Sequence, residues 1–132
     1  MSRQRAGILG LCLSKLLYWV SRHFYTCAIA STASIGGGII LPHPQGIVIG
    51  SDVSIGGRTW IFQNVTIGGL PRKEGHPTIG NDCRIYTGAV IVGPIDIADN
   101  CVIGANTVVS SSIATNTLVK CAPTVLVEIA SD

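Results

Sequence analysis

Residues 49–67 read IGSDVSIGGRTWIFQNVTI, and in them isoleucine returns at every sixth position: Ile49, Ile55, Ile61 and Ile67. The spacing continues outward in both directions. Upstream stand Ile29, Ile35, Leu41 and Ile47, offset by a two-residue slip; downstream stand Ile79, Ile85, Ile91, Ile97, Ile103 and Val109. Four positions after most of these comes a second small or β-branched residue: Val53, Thr59, Val65, Cys83, Ala89, Ile95, Cys101, Thr107 and Ile113. A period of six is neither that of a helix nor that of a strand with one wet face. It predicts an all-β fold, a parallel β-helix of hexapeptides in which each repeat gives one short strand and a corner, and three repeats close one coil. Coils of this kind stack at the sheet spacing of about 4.8 Å, so residues eighteen apart are expected directly above one another.

The repeat sets the domain boundaries. Residues 28–120 are read as the β-helix, with one extruded loop at 68–78, GGLPRKEGHPT, where glycine and proline break the pattern. Insertions in a solenoid tend to gather on one face, often the binding face. Residues 121–132 leave the period again and are read as a tail crossing the last coil. Residues 1–27 do not follow it either. From Ala6 to Phe24, Leu9, Leu13, Leu16, Leu17 and Val20 recur at helical spacing, near Arg3, Arg5, Lys15 and Arg22. A short N-terminal α-helix is predicted, too short and too interrupted by Lys15 to span a bilayer and without a cleavage site of the signal-peptide kind. Two placements stay open. The helix packs on the first coil or a neighbouring subunit, or it lies on a membrane surface, with Tyr18, Trp19 and Tyr25 at the interface.

Composition narrows the function. Of 132 residues only 12% are charged, the net charge is +2 and the mean hydropathy is +0.49. Such a chain is too apolar for disorder and too weakly basic for a nucleic-acid binder. Its five cysteines form no CxxC pair and are odd in number, so neither a zinc knuckle nor a closed disulfide framework is indicated, and a reducing cytoplasm is expected. Cys83 and Cys101 are expected to fill inward positions on adjacent coils.

Histidine is the most economical clue to chemistry. Only His23, His43 and His76 are present, and two fall where the repeat breaks: His43 in LPHPQG, where the phase slips, and His76 at the end of the loop. A side chain that titrates near neutrality can take a proton from a hydroxyl, as acyl transfer to an alcohol requires. The three histidines lack the spacing of a zinc-binding carbonic anhydrase on a similar solenoid.

At ILPHPQGIVIG, IFQNVTIGG, GHPTIGNDCRIYTGAVIVGPI and IGANTVV the chain resembles serine acetyltransferases and the serine acetyltransferase-like O-acetyltransferases of bacterial polysaccharide pathways. The resemblance covers residues 28–120. It implies a left-handed parallel β-helix and a homotrimer that transfers acetyl from acetyl-CoA to an acceptor hydroxyl between adjacent subunits, without a metal. By position it implies His43 as the general base and His76, from the adjacent subunit, as the second active-site histidine. A backbone N–H near the seam would hold the oxyanion. Gly88 and Ala89, with Gly104 and Ala105, match the stretch whose backbone lines the pantetheine channel. Tyr86 replaces a usual glycine and would narrow that channel or stack on the adenine. Lys120, with Arg72, Lys73 and Arg84, is a candidate partner for the CoA phosphates.

Three departures direct the reading of the acceptor. Where serine acetyltransferases place an aspartate before the base, an arginine before the loop histidine and a further aspartate upstream, this chain has Pro42, Gly75 and Ala28. A zwitterion needs a cation for its carboxylate and an anion for its ammonium. The expectation is therefore a neutral hydroxyl acceptor, a sugar or saccharide. The alternatives are serine O-acetylation in cysteine biosynthesis and a non-catalytic assembly subunit. Either a backbone carbonyl or Glu74 of a neighbouring subunit is left to hold the His43 tautomer.

Overall fold

The computed structural model describes residues 10, 12–17, 19, 20, 26–72 and 74–122. Residues 26–122 wind into a left-handed parallel β-helix with three flat sheets. The first sheet stacks β1 (Ala28–Ile29), β3 (Val48–Ile49), β6 (Thr66–Gly68), β9 (Val90–Val92) and β12 (Val108–Val109). The second stacks β2 (Ser34–Ile35), β4 (Ser54–Ile55), β7 (Thr78–Ile79) and β10 (Asp96–Ile97). The third stacks β5 (Trp60–Ile61), β8 (Arg84–Ile85), β11 (Val102–Ile103) and β13 (Leu118–Val119). Isolated bridges add Ile40 beside Trp60 and Ile113 beside Ile97.

The second residue of each strand points inward. Ile49, Ile55, Ile61, Ile67, Ile79, Ile85, Ile91, Ile97 and Ile103 form the core with Val53, Val65, Cys83, Ala89 and Cys101. Burying each isoleucine stabilises the solenoid by about 1.5–3 kcal/mol. Cys83 and Cys101 are free and fully buried, with Sγ directed at backbone carbonyls such as Ala98 O (3.4 Å) and Ala114 O (3.2 Å). Burial pushes the Cys83 thiol above its ordinary pKa. Glycines at one corner let successive coils approach closely: a Cβ on Gly56 would meet the carbonyl carbon of Gly80 at 2.5 Å.

The uniform eighteen-residue stack needs correction. Val48 lies over Thr66 and Arg84 over Val102, eighteen apart, but Ala28 lies over Val48 after twenty, Thr66 over Val90 after twenty-four, and Val102 over Leu118 after sixteen. Inward aliphatic residues fix the register, since a one-residue slip would turn them outward; the corners absorb the surplus or deficit. In the last coil Ile113, four residues after Val109, takes the main ladder position opposite Ile97 instead of the auxiliary one its spacing suggested. The loop is 69–77 rather than 68–78, because Gly68 pairs with Val92 and Thr78 with Ser54 and Asp96.

Of the N-terminal segment, residues 10, 12–17, 19 and 20 are helical; the remainder of the predicted Ala6–Phe24 helix lies outside the described residues. Of the tail, residues 121 and 122 are described, and 123–132 lie outside.

Candidate active site

His43 lies at the corner where the chain passes from the third sheet back to the first. The two prolines beside it cannot donate to a ladder, so the chain bulges. Four hydrogen bonds hold the bulge: Gln45 N donates to His43 O (2.8 Å), Asn64 N to Gln45 O (2.9 Å), Cys27 Sγ to Pro44 O (3.0 Å) and Gly46 N to Thr26 Oγ1 (3.2 Å). The backbone is fixed while the imidazole stays exposed, without a hydrogen-bond partner among the described residues. Ala28 lies in β1 and offers no group to orient it.

The same corner, followed up the solenoid, carries most of the residues assigned to the cofactor. Tyr86 N donates to Ile103 O (2.9 Å) and Gly104 N to Val119 O (2.8 Å), which places Tyr86, Gly104 and Lys120 one above another on successive coils. Gly88 turns the corner beside them with φ +68°. A side chain there would strike Asn106 Oδ1, so glycine suits both the conformation and the space, although Asn64 and Asn106 also hold positive φ at the equivalent positions of the adjacent coils. Ala105 is exposed at the same corner, one coil further along. Gly104 is three coils, about 14 Å, along the axis from the level of His43. Ala89 is fully buried, so its side chain belongs to the core and only its backbone faces the edge.

The aromatic ring of Tyr86 lies against Phe62, centroids 4.9 Å apart at 13°, and Phe62 stacks in turn on Trp60 at 6.4 Å and 25°. The sequence reading missed this trio because Phe62 and Tyr86 are twenty-four residues apart, and the eighteen-residue rule places Phe62 elsewhere. Beside it a groove of about 620 Å³ is lined by Trp60, Arg84, Arg58 and Asp82 among others. Arg58 Nε and Nη2 donate to Asp82 Oδ1 (2.7 Å) and Oδ2 (2.6 Å), a fork that raises the arginine pKa and holds the carboxyl below its usual range. Arg84 is exposed in β8, against Trp60.

His76 occupies a different corner, between the first and second sheets, on loop 69–77. Its ring lies over Gly69, where a Cβ would come within 2.9 Å of His76 Cδ2 and 3.1 Å of Nε2. Leu70 and Gly75 pin the loop to the next coil. Leu70 Cδ1 is 3.4 Å from a Cβ placed on Gly93, and a Cβ on Gly75 would approach Pro94 Cβ to 2.7 Å. Gly75 has φ +99°, so an arginine could not stand there without strain. Arg72 and Glu74, oppositely charged, are both exposed on this loop; Lys73 lies outside the described residues. One whole sheet separates His43 from His76, and a single copy of the chain does not bring them together. Among the described residues no group of three His, Cys, Asp or Glu could hold a metal ion.

Residues 76–111 match the family model for bacterial transferase hexapeptide (six repeats). The chain is 40% identical over 99 residues to the serine acetyltransferase of Bacillus subtilis (strain 168), covering 74% of this chain and 46% of that protein. It is 38% identical over 108 residues to that of Staphylococcus epidermidis (strain ATCC 12228 / FDA PCI 1200), covering 80% and 51%. Among solved structures, serine acetyltransferase isoform 3 from Entamoeba histolytica, in complex with cysteine, superimposes with a TM-score of 0.79 at 30% identity over 91% of this chain and 43% of that one. The Neisseria gonorrhoeae serine acetyltransferase in complex with serine gives 0.77 at 32%, over 85% and 46%. Over most of its length the chain is thus similar to serine acetyltransferases and shares their hexapeptide-repeat fold.

This serine acetyltransferase-like chain spans about half the length of the curated relatives it matches. They overturn the sugar acceptor, and with it a place in polysaccharide pathways: the relatives named are serine acetyltransferases, which favours the serine alternative. The argument for a neutral acceptor assumed that the two charges a zwitterion requires must come from Pro42, Gly75 and Ala28. Loop 69–77 offers both signs at other positions, in Arg72 and Glu74.

Proposed function

We propose that this chain is an acetyl-CoA-dependent O-acetyltransferase acting on serine, with its site at a seam between copies. The observation that carries the reading is the placement of His43 and His76 at the two edges of the first sheet. Apart from Thr66, the outward strand residues of that sheet are apolar: Ala28, Val48, Val90 and Val108, the valines at 48 and 108 being 41% and 68% exposed. Those of the second sheet are Ser34, Ser54, Thr78 and Asp96. Three copies with their first sheets turned to a common axis bury the apolar face and set the His43 corner of one copy against the His76 corner of the next.

In this arrangement His43 accepts the proton of the serine hydroxyl while the hydroxyl oxygen forms a bond to the thioester carbonyl carbon. The carbon–sulfur bond then breaks, and His43 returns the proton to the leaving thiolate. His76 reaches the acceptor from the neighbouring copy. Arg72 and Glu74 on the same loop supply the cation and the anion that a zwitterion needs. Tyr86, Gly104 and Lys120 support the extended arm of acetyl-CoA along the edge. The test is L-serine-dependent release of CoA. Turnover that disappears in His43→Ala supports the reading; a protein that neither binds acetyl-CoA nor turns over with L-serine overturns it.

A further inference from the structure

The N-terminal helix stands apart from the solenoid's chemistry. Within residues 10–20, Leu13, Leu16, Leu17 and Trp19 are 55%, 55%, 59% and 53% exposed, and each described position from 12 to 17 is exposed. A helix that packed on the coils would bury its apolar stripe; this one leaves it in water. At about 100° per residue, Leu13, Leu16, Leu17 and Val20 fall within one arc of about 100°, with Lys15 on the opposite side. No helix among the described residues is long and apolar enough to cross a membrane.

Charge distinguishes the segment as sharply. Residues 1–27 contain Arg3, Arg5, Lys15 and Arg22 and no Asp or Glu, whereas the rest of the chain has five Lys and Arg against seven Asp and Glu. The β-helix at residues 28–120 is thus charge-balanced, five Lys and Arg against five Asp and Glu, whereas the segment that precedes it carries cations only. A second copy of the same helix would bring like charges together. An anionic bilayer surface satisfies both features at once, since the apolar stripe enters the acyl boundary and the cations meet the headgroups.

We infer that the helix at residues 10–20 is a peripheral anchor that docks the protein on anionic lipid, lying in the interface without spanning it. The inference does not depend on the acetyltransferase reading, and its test involves no catalysis. The full chain is co-sedimented with vesicles of pure phosphatidylcholine and with vesicles of equal parts phosphatidylcholine and phosphatidylglycerol. Binding is expected on the anionic vesicles only, and to weaken in high salt. The double variant Leu13→Glu with Leu17→Glu, and separately Lys15→Glu, should each lower the bound fraction by about tenfold or more. Circular dichroism and thermal melting of the variants show that the solenoid remains folded. Wild-type protein that stays in the supernatant with both vesicles overturns the proposal, as does equal binding to neutral lipid. So does a change of solution mass in the leucine variant without any vesicle effect, which would assign the stripe to contact between copies.

Discussion

His43 and His76 bracket one sheet: His43 enters it at the corner before β3, and His76 leaves it at the corner before β7. The width of the sheet separates them, so a site that uses both must combine two copies. His43→Ala and His76→Ala should each be inactive alone. Mixed in equal amounts and reassociated, they should recover activity at about a quarter of the wild-type sites, since each seam needs an intact corner from either side. Recovery at the level of background would place the site within one copy.

Gly69 controls the ring of His76 through space rather than through a bond. Its φ is not in the left-handed region, so alanine suits the backbone, and the added methyl meets His76 Cδ2 and Nε2. Gly69→Ala should leave the melting temperature near wild type and lower kcat by tenfold or more, about 1.4 kcal/mol. Added to His76→Ala, it should cost nothing further. Full activity in Gly69→Ala beside an inactive His76→Ala would show that the ring does not need this seat.

Tyr86 lies flat on Phe62 and makes a platform on the outer face of the third sheet. Tyr86→Ala should raise KM for acetyl-CoA and leave kcat near wild type, and Phe62→Ala should reproduce part of the effect by releasing a stacked pair that contributes about 0.5–1.5 kcal/mol. A lower KM in Tyr86→Ala would mean that the ring obstructs the edge.

The core ladder was legible because hexapeptide phase is a one-dimensional property: Ile49 to Ile67 announce a coil wherever they occur. What was not legible depended on corner length. The sequence could not show that Phe62 skips six residues to meet Tyr86, that Ile113 returns to the ladder two residues early, or that Leu70 and Gly75 tie the loop to Gly93 and Pro94. His43 and His76 were found from the breaks they occupy, but their separation by a sheet emerged only once each break was assigned to a corner. The acceptor was misread because charge was sought at matched positions, whereas a loop can present it from neighbouring ones.

Burial along the ladder is uneven, and stability should follow it. Ile85 is fully buried between complete coils, whereas Ile35 in the first coil is 40% exposed. Ile85→Ala should destabilise by about 2–5 kcal/mol, and Ile35→Ala by about 1 kcal/mol or less. Denaturant melts of the two variants decide this; equal losses would show that the first coil is covered in solution by something the single chain does not supply.

The fork between Arg58 and Asp82 gives a pH dependence whose sign can be fixed. Folding lowers the Asp82 pKa, chiefly through the hydrogen bond from Arg58. The contribution is therefore present above the unfolded carboxylate range and is lost as pH falls through the folded value. Both side chains are exposed, 68% and 46%, so the effect is small and screened by salt. Asp82→Asn should melt slightly below wild type at neutral pH and low salt, and the two should converge in acid and in high salt. A difference that persisted in acid would have to come from the corner itself, where Asp82 has φ +57°, a conformation that asparagine tolerates as readily as aspartate.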